Sequence, residues 1–243
     1  MLVGAMQLGI MYLLAFRAYL YLTVSEFLLF TVFTPLYITL IYDLLSGRKL
    51  RWGYLLSAAL AVLGAAIIRY DKVSDHFWTG LLLVQLSNLC FAIGMVGYKR
   101  LMEVRPMPQH NAFAWFYVGA FIVAVAAWFM LGNAQKLPTT TLQWSVLVWL
   151  GVVASGLGYF MWNYGATQVD AGTLGIMNNV HVPAGLLVNL AIWQEQPHWP
   201  SFISGALVIL ASLWVHRRWV APHSGQTADD RRRIHGRALH LHL

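Results

Sequence analysis

Long apolar stretches separated by short gaps restrict this sequence to a helical membrane fold. About 20 apolar residues at roughly 1.5 Å each cross a hydrocarbon core of about 30 Å, and a helix satisfies its own backbone groups in lipid. Hydrophobic residues make up 59% and charged residues 10% of 243, which is unlike a soluble domain. We therefore predict an all-α membrane protein, a polytopic helical bundle of about eight spans. The predicted spans are about residues 1–20, 23–43, 52–69, 78–98, 111–131, 143–164, 172–193 and 199–219.

The positions of Lys and Arg predict how the chain is oriented. One set of gaps holds six of them and the C-terminal tail holds six more, whereas the other set holds only Arg69, Lys72 and Lys136. Because cytoplasmic loops carry the excess of positive charge, both termini are predicted to be cytoplasmic. The net charge of +7 is thereby explained without a nucleic-acid partner. The polar, basic tail, residues 220–243, is predicted to be disordered.

An internal repeat emerges when the chain is shifted by 148 residues, which aligns Pro35 with Pro183 and the span boundaries with one another. Five spans separate the copies, so the two copies cross the membrane in opposite directions. Inverted repeats are typical of secondary transporters, which bind substrate near the midplane between the repeats. The second copy, residues 78–219, has five predicted spans. The first, residues 1–69, has three that match the last three of the second, so two spans are expected to be missing from the front.

The stretch from Gly172 to Trp193 combines enough length to span a bilayer with polar residues at its centre. Pro183 has no N–H to donate to the carbonyl of Asn179, so we predict a kink and a free acceptor near the midplane. Pro35 lies at the equivalent depth of the second span. The two prolines are therefore the predicted hinges.

His181, Asn178 and Asn179 are the first candidates for a substrate site. A neutral imidazole and two carboxamides offer hydrogen bonds to the amide-like part of a small substrate, and His181 is also able to titrate with a coupled proton. Polar groups inside a span are costly in lipid, which makes each a functional candidate. The alternative is that these groups satisfy one another and the freed carbonyl across helices.

Arg17 and Glu26 are predicted to reach similar depth in an antiparallel hairpin of the first two spans. They are expected either to form a structural ion pair or to leave Arg17 facing the cavity. In the second case its guanidinium would bind an anionic substrate, since it matches carboxylate geometry.

Two further groups of polar and aromatic residues lie within spans. Gln85 and Asn88 share one face of the fourth span and favour either interhelical hydrogen bonds or a place in the cavity wall. Tyr159, Trp162 and Asn163 in the sixth span are open to either core packing or ligand contact.

Several signatures of other functions are absent from the sequence. It has no glycine-rich phosphate loop, no His/Cys set with metal-ligand spacing, and no nucleophile with an evident base and orienting acid. Cys90 is the only cysteine, which excludes an intrachain disulfide. We therefore predict a protein that is not an enzyme and uses no cofactor or metal, with an oligomeric state that the sequence leaves open.

Four runs of sequence carry a resemblance to a known family. The runs are residues 36–43, 77–88, 105–117 and 165–179. With the proline-centred spans, short loops and paired halves, they resemble the EamA-type drug/metabolite transporters over about residues 1–230. The likeness is greatest to members of the carboxylate/amino acid/amine group that import biotin. It departs at the front, where two family helices are missing, and in the tail after Arg233.

The resemblance implies a ten-helix inverted-repeat (5+5) fold and import of biotin or a similar small carboxylate across the bacterial inner membrane by alternating access. The expected partners are this small molecule and the lipid bilayer. Biotin would place its carboxylate on Arg17, its ureido group on Asn178, Asn179, Gln85 or Asn88, and its bicycle on Trp162 or Tyr159. The alternatives are export of amino acids or related metabolites, and a non-transporting membrane subunit or inactive fragment.

Overall fold

The structure is a computed structural model that describes residues 1–22, 24–47, 50–69, 77–133, 135, 137–194 and 199–220. Within these ranges the regular elements are helices and no strand is found, which confirms the predicted all-α class. The helices are α1 (Leu2–Ala18), α2 (Val24–Thr31), α3 (Thr34–Leu45), α4 (Trp52–Arg69), α5 (Phe77–Val104), α6 (Gln109–Leu131), α7 (Thr141–Ala166), α8 (Ala171–Asn178), α9 (His181–Trp193) and α10 (Trp199–Val215).

Three of these helices contain or continue into π-helical backbone. Ala5–Ile10 lies within α1, Leu150–Gly158 lies within α7, and His216–Val220 extends α10. A π-helical stretch adds residues to each turn, so it rotates the side chains that follow onto a different face. This rotation affects which residues of α7 reach the interior.

Four helical stretches in the described part of the chain are long and apolar enough to cross a membrane. Two shorter apolar helices, Leu2–Ala18 and Thr34–Leu45, accompany them. The protein is therefore a helical membrane protein, while the total of eight spans and the inverted repeat stay predictions. The predicted tail, residues 220–243, lies outside the described residues except for its first residue. The four long stretches are Trp78–Val104, Gln109–Leu131, Thr141–Ala166 and Ala171–Ile192.

Both proline-containing spans are interrupted, and each interruption precedes its proline. The first break, Val32 and Phe33, separates α2 from α3, and the second break, Asn179 and Val180, separates α8 from α9. Pro35 and Pro183 then lie in the first turn of the following helix, where a missing N–H costs nothing.

The prediction of a free acceptor at the second break is wrong. The carbonyl oxygen of Asn179 accepts a hydrogen bond from the backbone N–H of Val182 at 3.1 Å. This bond joins residues three apart, as in the tighter turns at helix ends. The N–H of Val182 thus satisfies the carbonyl that Pro183 cannot.

Close packing holds the two broken helices together. At Gly175 in α8 an added Cβ would lie 3.2 Å from the carbonyl oxygen of Pro35 in α3. A buried apolar cluster adjoins this contact and unites α3, α5, α7 and α8; its central members are Ile38, Met95 and Leu174. The outer half of α7 differs, because every residue from 141 to 153 is exposed.

Candidate substrate site beside the second helix break

A cavity of about 250 Å³ lies beside the second break. Four residues singled out from the sequence line it: Tyr159 and Trp162 from α7, Asn178 at the end of α8, and His181 at the start of α9. Phe91 of α5 completes an aromatic wall, and Ala154 and Gly158 leave room beside it. The site therefore has the mostly apolar lining with a few convergent polar groups that is usual for small-molecule sites.

His181 is held at the second break by its own ring. Its Nδ1 lies 2.5 Å from the carbonyl oxygen of Asn178, and its Nε2 lies 3.4 Å from the Thr31 hydroxyl in α2. Because a carbonyl oxygen only accepts, we assign the hydrogen on Nδ1. The imidazole is thus oriented by the break and stands between the cavity and α2.

The aromatic wall is fixed by contacts among its members. The Trp162 indole N–H donates to the sulfur of Met95 at 2.9 Å. Tyr159 meets Phe91 and Tyr12 edge to face, at centroid distances of 6.3 and 6.1 Å. Such contacts restrain the rings, which then offer a preformed surface to a flat ligand.

Three other predicted site residues serve the first break instead. The buried amide of Asn179 donates to the carbonyl of Val32 at 2.9 Å. Gln85 and Asn88 both donate to the carbonyl of Phe30, each at 3.0 Å. These amides satisfy carbonyls that the interrupted helix leaves without helical partners, and none of the three lines the cavity. Interhelical hydrogen bonding, one of the two sequence interpretations, is therefore confirmed for Gln85 and Asn88.

Asn163 and Arg17 also lie away from the cavity. Asn163 is fully buried and its amide donates to the carbonyl of Tyr159 in the same helix at 3.1 Å. Arg17 is exposed at the end of α1, Glu26 is buried, and these two described residues form no ion pair with each other. The described wall of the cavity holds no Lys or Arg, so the group it offers to an anion is the His181 imidazole.

A network of charged and aromatic side chains closes one end of the bundle, and the sequence analysis missed it. We name this network the polar ring, and it consists of Tyr42, Asp43, Arg51, Tyr54, Lys99, Glu103, Asp170 and His216. The signals were present as a Lys and a Glu four residues apart and an Asp directly before a helix. Both lie in gaps between the predicted spans.

The first half of the polar ring joins α3, the start of α4 and α10. The Arg51 guanidinium pairs with Asp43 at 2.6 Å and covers the Tyr54 ring at 3.6 Å. The Tyr54 ring meets the His216 ring edge to face at 4.6 Å. His216, which is fully buried, pairs with Asp170 through Nε2 at 2.7 Å.

The second half returns through α5. Lys99 donates to the carbonyls of Ala166 and Val169 at 3.0 and 2.5 Å and pairs with Glu103 at 3.1 Å. Glu103 in turn accepts from the Tyr42 hydroxyl at 3.0 Å. Val169 directly precedes Asp170, so the second half of the polar ring joins the first half here.

Asp170 also caps α8. Its carboxylate accepts from the backbone N–H groups of Gly172 and Thr173 at 2.9 and 3.1 Å, which is the usual role of an N-cap aspartate. Burial by itself raises the pKa of this carboxyl, but the hydrogen bonds from His216 and Thr173 hold the pKa well below its ordinary value. Asp170 is therefore the anchor of the loop between α7 and α8.

Comparisons with known proteins agree with this architecture. A crystal structure of a protein with 18% sequence identity superposes with a TM-score of 0.72, covering 91% of this chain and 76% of that chain, which shows a shared fold. A protein named biotin transporter from Escherichia coli (strain K12) is 84% identical over 233 residues, 96% of this chain and 78% of that protein. A probable biotin transporter from Pseudomonas aeruginosa is 53% identical over 89% of this chain and 76% of its own length.

A family model also matches the chain directly. The model of the EamA-like transporter family covers residues 78–217, more than half of the chain, and includes α5 to α10 with the cavity and half of the polar ring. The resemblance drawn from the sequence is therefore confirmed, and this chain belongs to the EamA-like transporter family.

Proposed function

We propose that this protein transports biotin across the bacterial inner membrane, and that biotin binds in the cavity beside the second break. The observation that carries the proposal is the cavity itself, where three aromatic rings face Asn178 and His181. The 84% identity to a protein named biotin transporter supports biotin as the substrate. Family membership supports transport rather than enzymatic chemistry.

The chemistry of biotin suits the groups in the cavity. Its ureido ring has N–H donors and a carbonyl acceptor, and the Asn178 carboxamide is able both to donate and to accept. Its apolar bicycle packs against the rings of Trp162, Tyr159 and Phe91. Its carboxylate is placed toward His181, whose imidazole donates when protonated.

The two breaks support a mechanism of alternating access. Interrupted helices at corresponding positions mark the substrate site in inverted-repeat transporters, where one repeat rocks against the other. We propose that Pro35 and Pro183 mark the hinges. By the distribution of Lys and Arg, the end of the bundle with the polar ring faces the cytoplasm, as do both termini.

The test is uptake of labelled biotin by bacterial cells that neither make nor import it. The 243-residue chain is compared with the Escherichia coli relative and with a chimera carrying the part of that relative which this chain does not span. Saturable uptake by the chain or the chimera, competed by unlabelled biotin, supports the proposal. Absence of uptake by both, with both present in the membrane and the relative active, overturns it and favours metabolite export or a non-transporting role.

The site is tested separately with His181→Ala. His110→Ala is the matched control, because His110 is exposed at the start of α6, outside the cavity. We expect the first variant to raise the half-saturating biotin concentration and the second to leave it unchanged. Normal uptake kinetics for His181→Ala would remove the cavity from the proposal.

A further inference from the structure

We infer that the polar ring is the gate that closes the substrate cavity on one side, and that Lys99 is the positioning residue that holds the gate shut. The inference rests on the proposed function in one respect, namely that substrate occupies the cavity. It assigns a role in the transport cycle to residues that do not touch the substrate.

The position of the polar ring relative to the cavity supports a gate. Lys99 follows Phe91 by eight residues in α5, and Asp170 precedes Asn178 by eight residues along α8, so the ring lies about 12 Å from the cavity on both helices. The buried apolar cluster around Met95 and Leu174 fills the space between them, and Trp162 packs against it. The cavity is thus separated from this end by a dry layer with a polar seal beneath it.

The polar ring joins elements that must separate if this end is to open. Its bonds run from α3 to α5, from α5 to the end of α7, and from the start of α8 to the end of α10. The links are hydrogen bonds, ion pairs and ring contacts, and such contacts exchange readily for water when a surface becomes exposed. The ring is therefore able to open where these elements separate.

Lys99 has the contacts of a clamp. It is 3% exposed, and its ammonium has three partners, the carbonyls of Ala166 and Val169 and the carboxylate of Glu103. Three donors with three acceptors leave the ammonium fully satisfied. Its positive charge also lies at the C-terminal end of α7, where a cation is favoured. Removing it releases the loop between α7 and α8 from α5.

The adjacent residue supplies a matched control. Arg100 binds the same Glu103, at 2.5 Å within α5, and its guanidinium lies 5.7 Å from the Tyr42 ring. Lys99→Met and Arg100→Met thus remove the same charge from neighbouring positions, yet only the first cuts the hydrogen bonds to the end of α7 and the loop that follows it. A general effect of lost charge would appear in both variants.

The gate is tested by measuring access to the cavity from each face of the membrane. In a Cys90→Ser background, Ala154→Cys places one thiol in the cavity wall, and a membrane-impermeant maleimide is applied to right-side-out and inside-out vesicles. We expect Lys99→Met to raise the labelling rate from the face of the polar ring by about tenfold or more, as for loss of a charged hydrogen bond. Labelling from the opposite face should fall, and Arg100→Met should change neither rate.

Two further variants keep the test decisive. Lys99→Arg retains the cation and should restore most of the closed behaviour. Asp170→Asn removes the carboxylate that His216 contacts but keeps an N-cap acceptor for α8, and it decides the matter if Lys99→Met does not accumulate in the membrane. Unchanged labelling in Lys99→Met or, in its place, Asp170→Asn overturns the inference, as does an equal increase in Arg100→Met.

The measurement is independent of the substrate. Labelling that responds as expected in cells showing no biotin uptake would leave the gate standing and reject biotin. Normal biotin uptake, together with a labelling rate that Lys99→Met does not change, would reject the gate and leave the proposed function standing.

Discussion

The two helix breaks each precede a proline, yet their polar groups are satisfied in different ways. The first break depends on other helices, because amides from α5 and from the second break cap the carbonyls of Phe30 and Val32. The second break is satisfied largely by its own backbone, through bonds from Val182 to Asn179 and from Ala184 to Val180. Its side chains Asn178 and His181 line the cavity.

This difference shows how a repeated backbone device acquires two roles. The first break supplies a fixed surface against which the second is held, with Gly175 close to Pro35 and Asn179 bonded to Val32. The second break places Asn178 and His181 in the wall of the cavity where we propose that substrate binds. The following predictions test whether structure and chemistry are divided between the breaks in this way.

The largest effect is expected from Asn179→Leu, which cuts the bond between the breaks. The carbonyl of Val32 loses its donor inside the protein, and an unsatisfied buried acceptor costs about 1–3 kcal/mol. We expect a lower midpoint of thermal unfolding in detergent and loss of uptake together. A variant with an unchanged midpoint would show that the first break does not depend on the second.

His181→Ala should affect binding with little effect on folding. Losing a hydrogen bond to a charged ligand group costs about 1.5–3 kcal/mol, so the half-saturating biotin concentration should rise at least about tenfold. The unfolding midpoint should stay within a few degrees of the parent. Thr31→Ala, at the facing position of the first break, should change uptake much less, and an equal effect of the two variants would contradict the division.

Gln85 and Asn88 provide a test by non-additivity. Both donate to the carbonyl of Phe30, so either amide alone still satisfies it. We expect Gln85→Leu and Asn88→Leu each to destabilise by less than about 1 kcal/mol, and the double variant by more than their sum. Additive losses of thermal stability would show that the two amides act separately.

The smallest effect concerns the cap of α8. The folded-state pKa of Asp170 is below its ordinary value, so its stabilising contribution is complete above the ordinary pKa of about 3.9 and is lost as the pH falls through the folded value. The difference in unfolding midpoint between the parent and Asp170→Asn should be clear at pH 5 and shrink toward pH 3. A difference that grows on acidification would contradict this assignment.

Several features were accessible from the sequence because they depend on local physics. Long apolar runs leave a chain in lipid no alternative to helices, and proline removes a hydrogen-bond donor wherever it occurs. The interruptions near Pro35 and Pro183 followed from these rules. The exact place of the second break did not follow from them. The carbonyl of Asn179 accepts from an N–H three residues later instead of four, and the interruption lies one turn ahead of the proline.

The roles of neighbouring polar residues were decided by tertiary structure. Asn178 lines the cavity while Asn179 turns to the first break, and Trp162 lines it while Asn163 is buried. Consecutive residues lie about 100° apart around a helix, so the two members of each pair face different neighbours. Helical periodicity does not predict which member faces the cavity.

The sequence by itself determined that this chain is a helical membrane protein with two interrupted spans and membership of a transporter family, because apolar length and proline act locally along the chain. The tertiary structure alone decided which amides cap a carbonyl and which face the cavity, and it assembled the polar ring from residues between Tyr42 and His216. Those contacts join side chains that are far apart in sequence, and only the packing of the helices brings their charges within bonding distance.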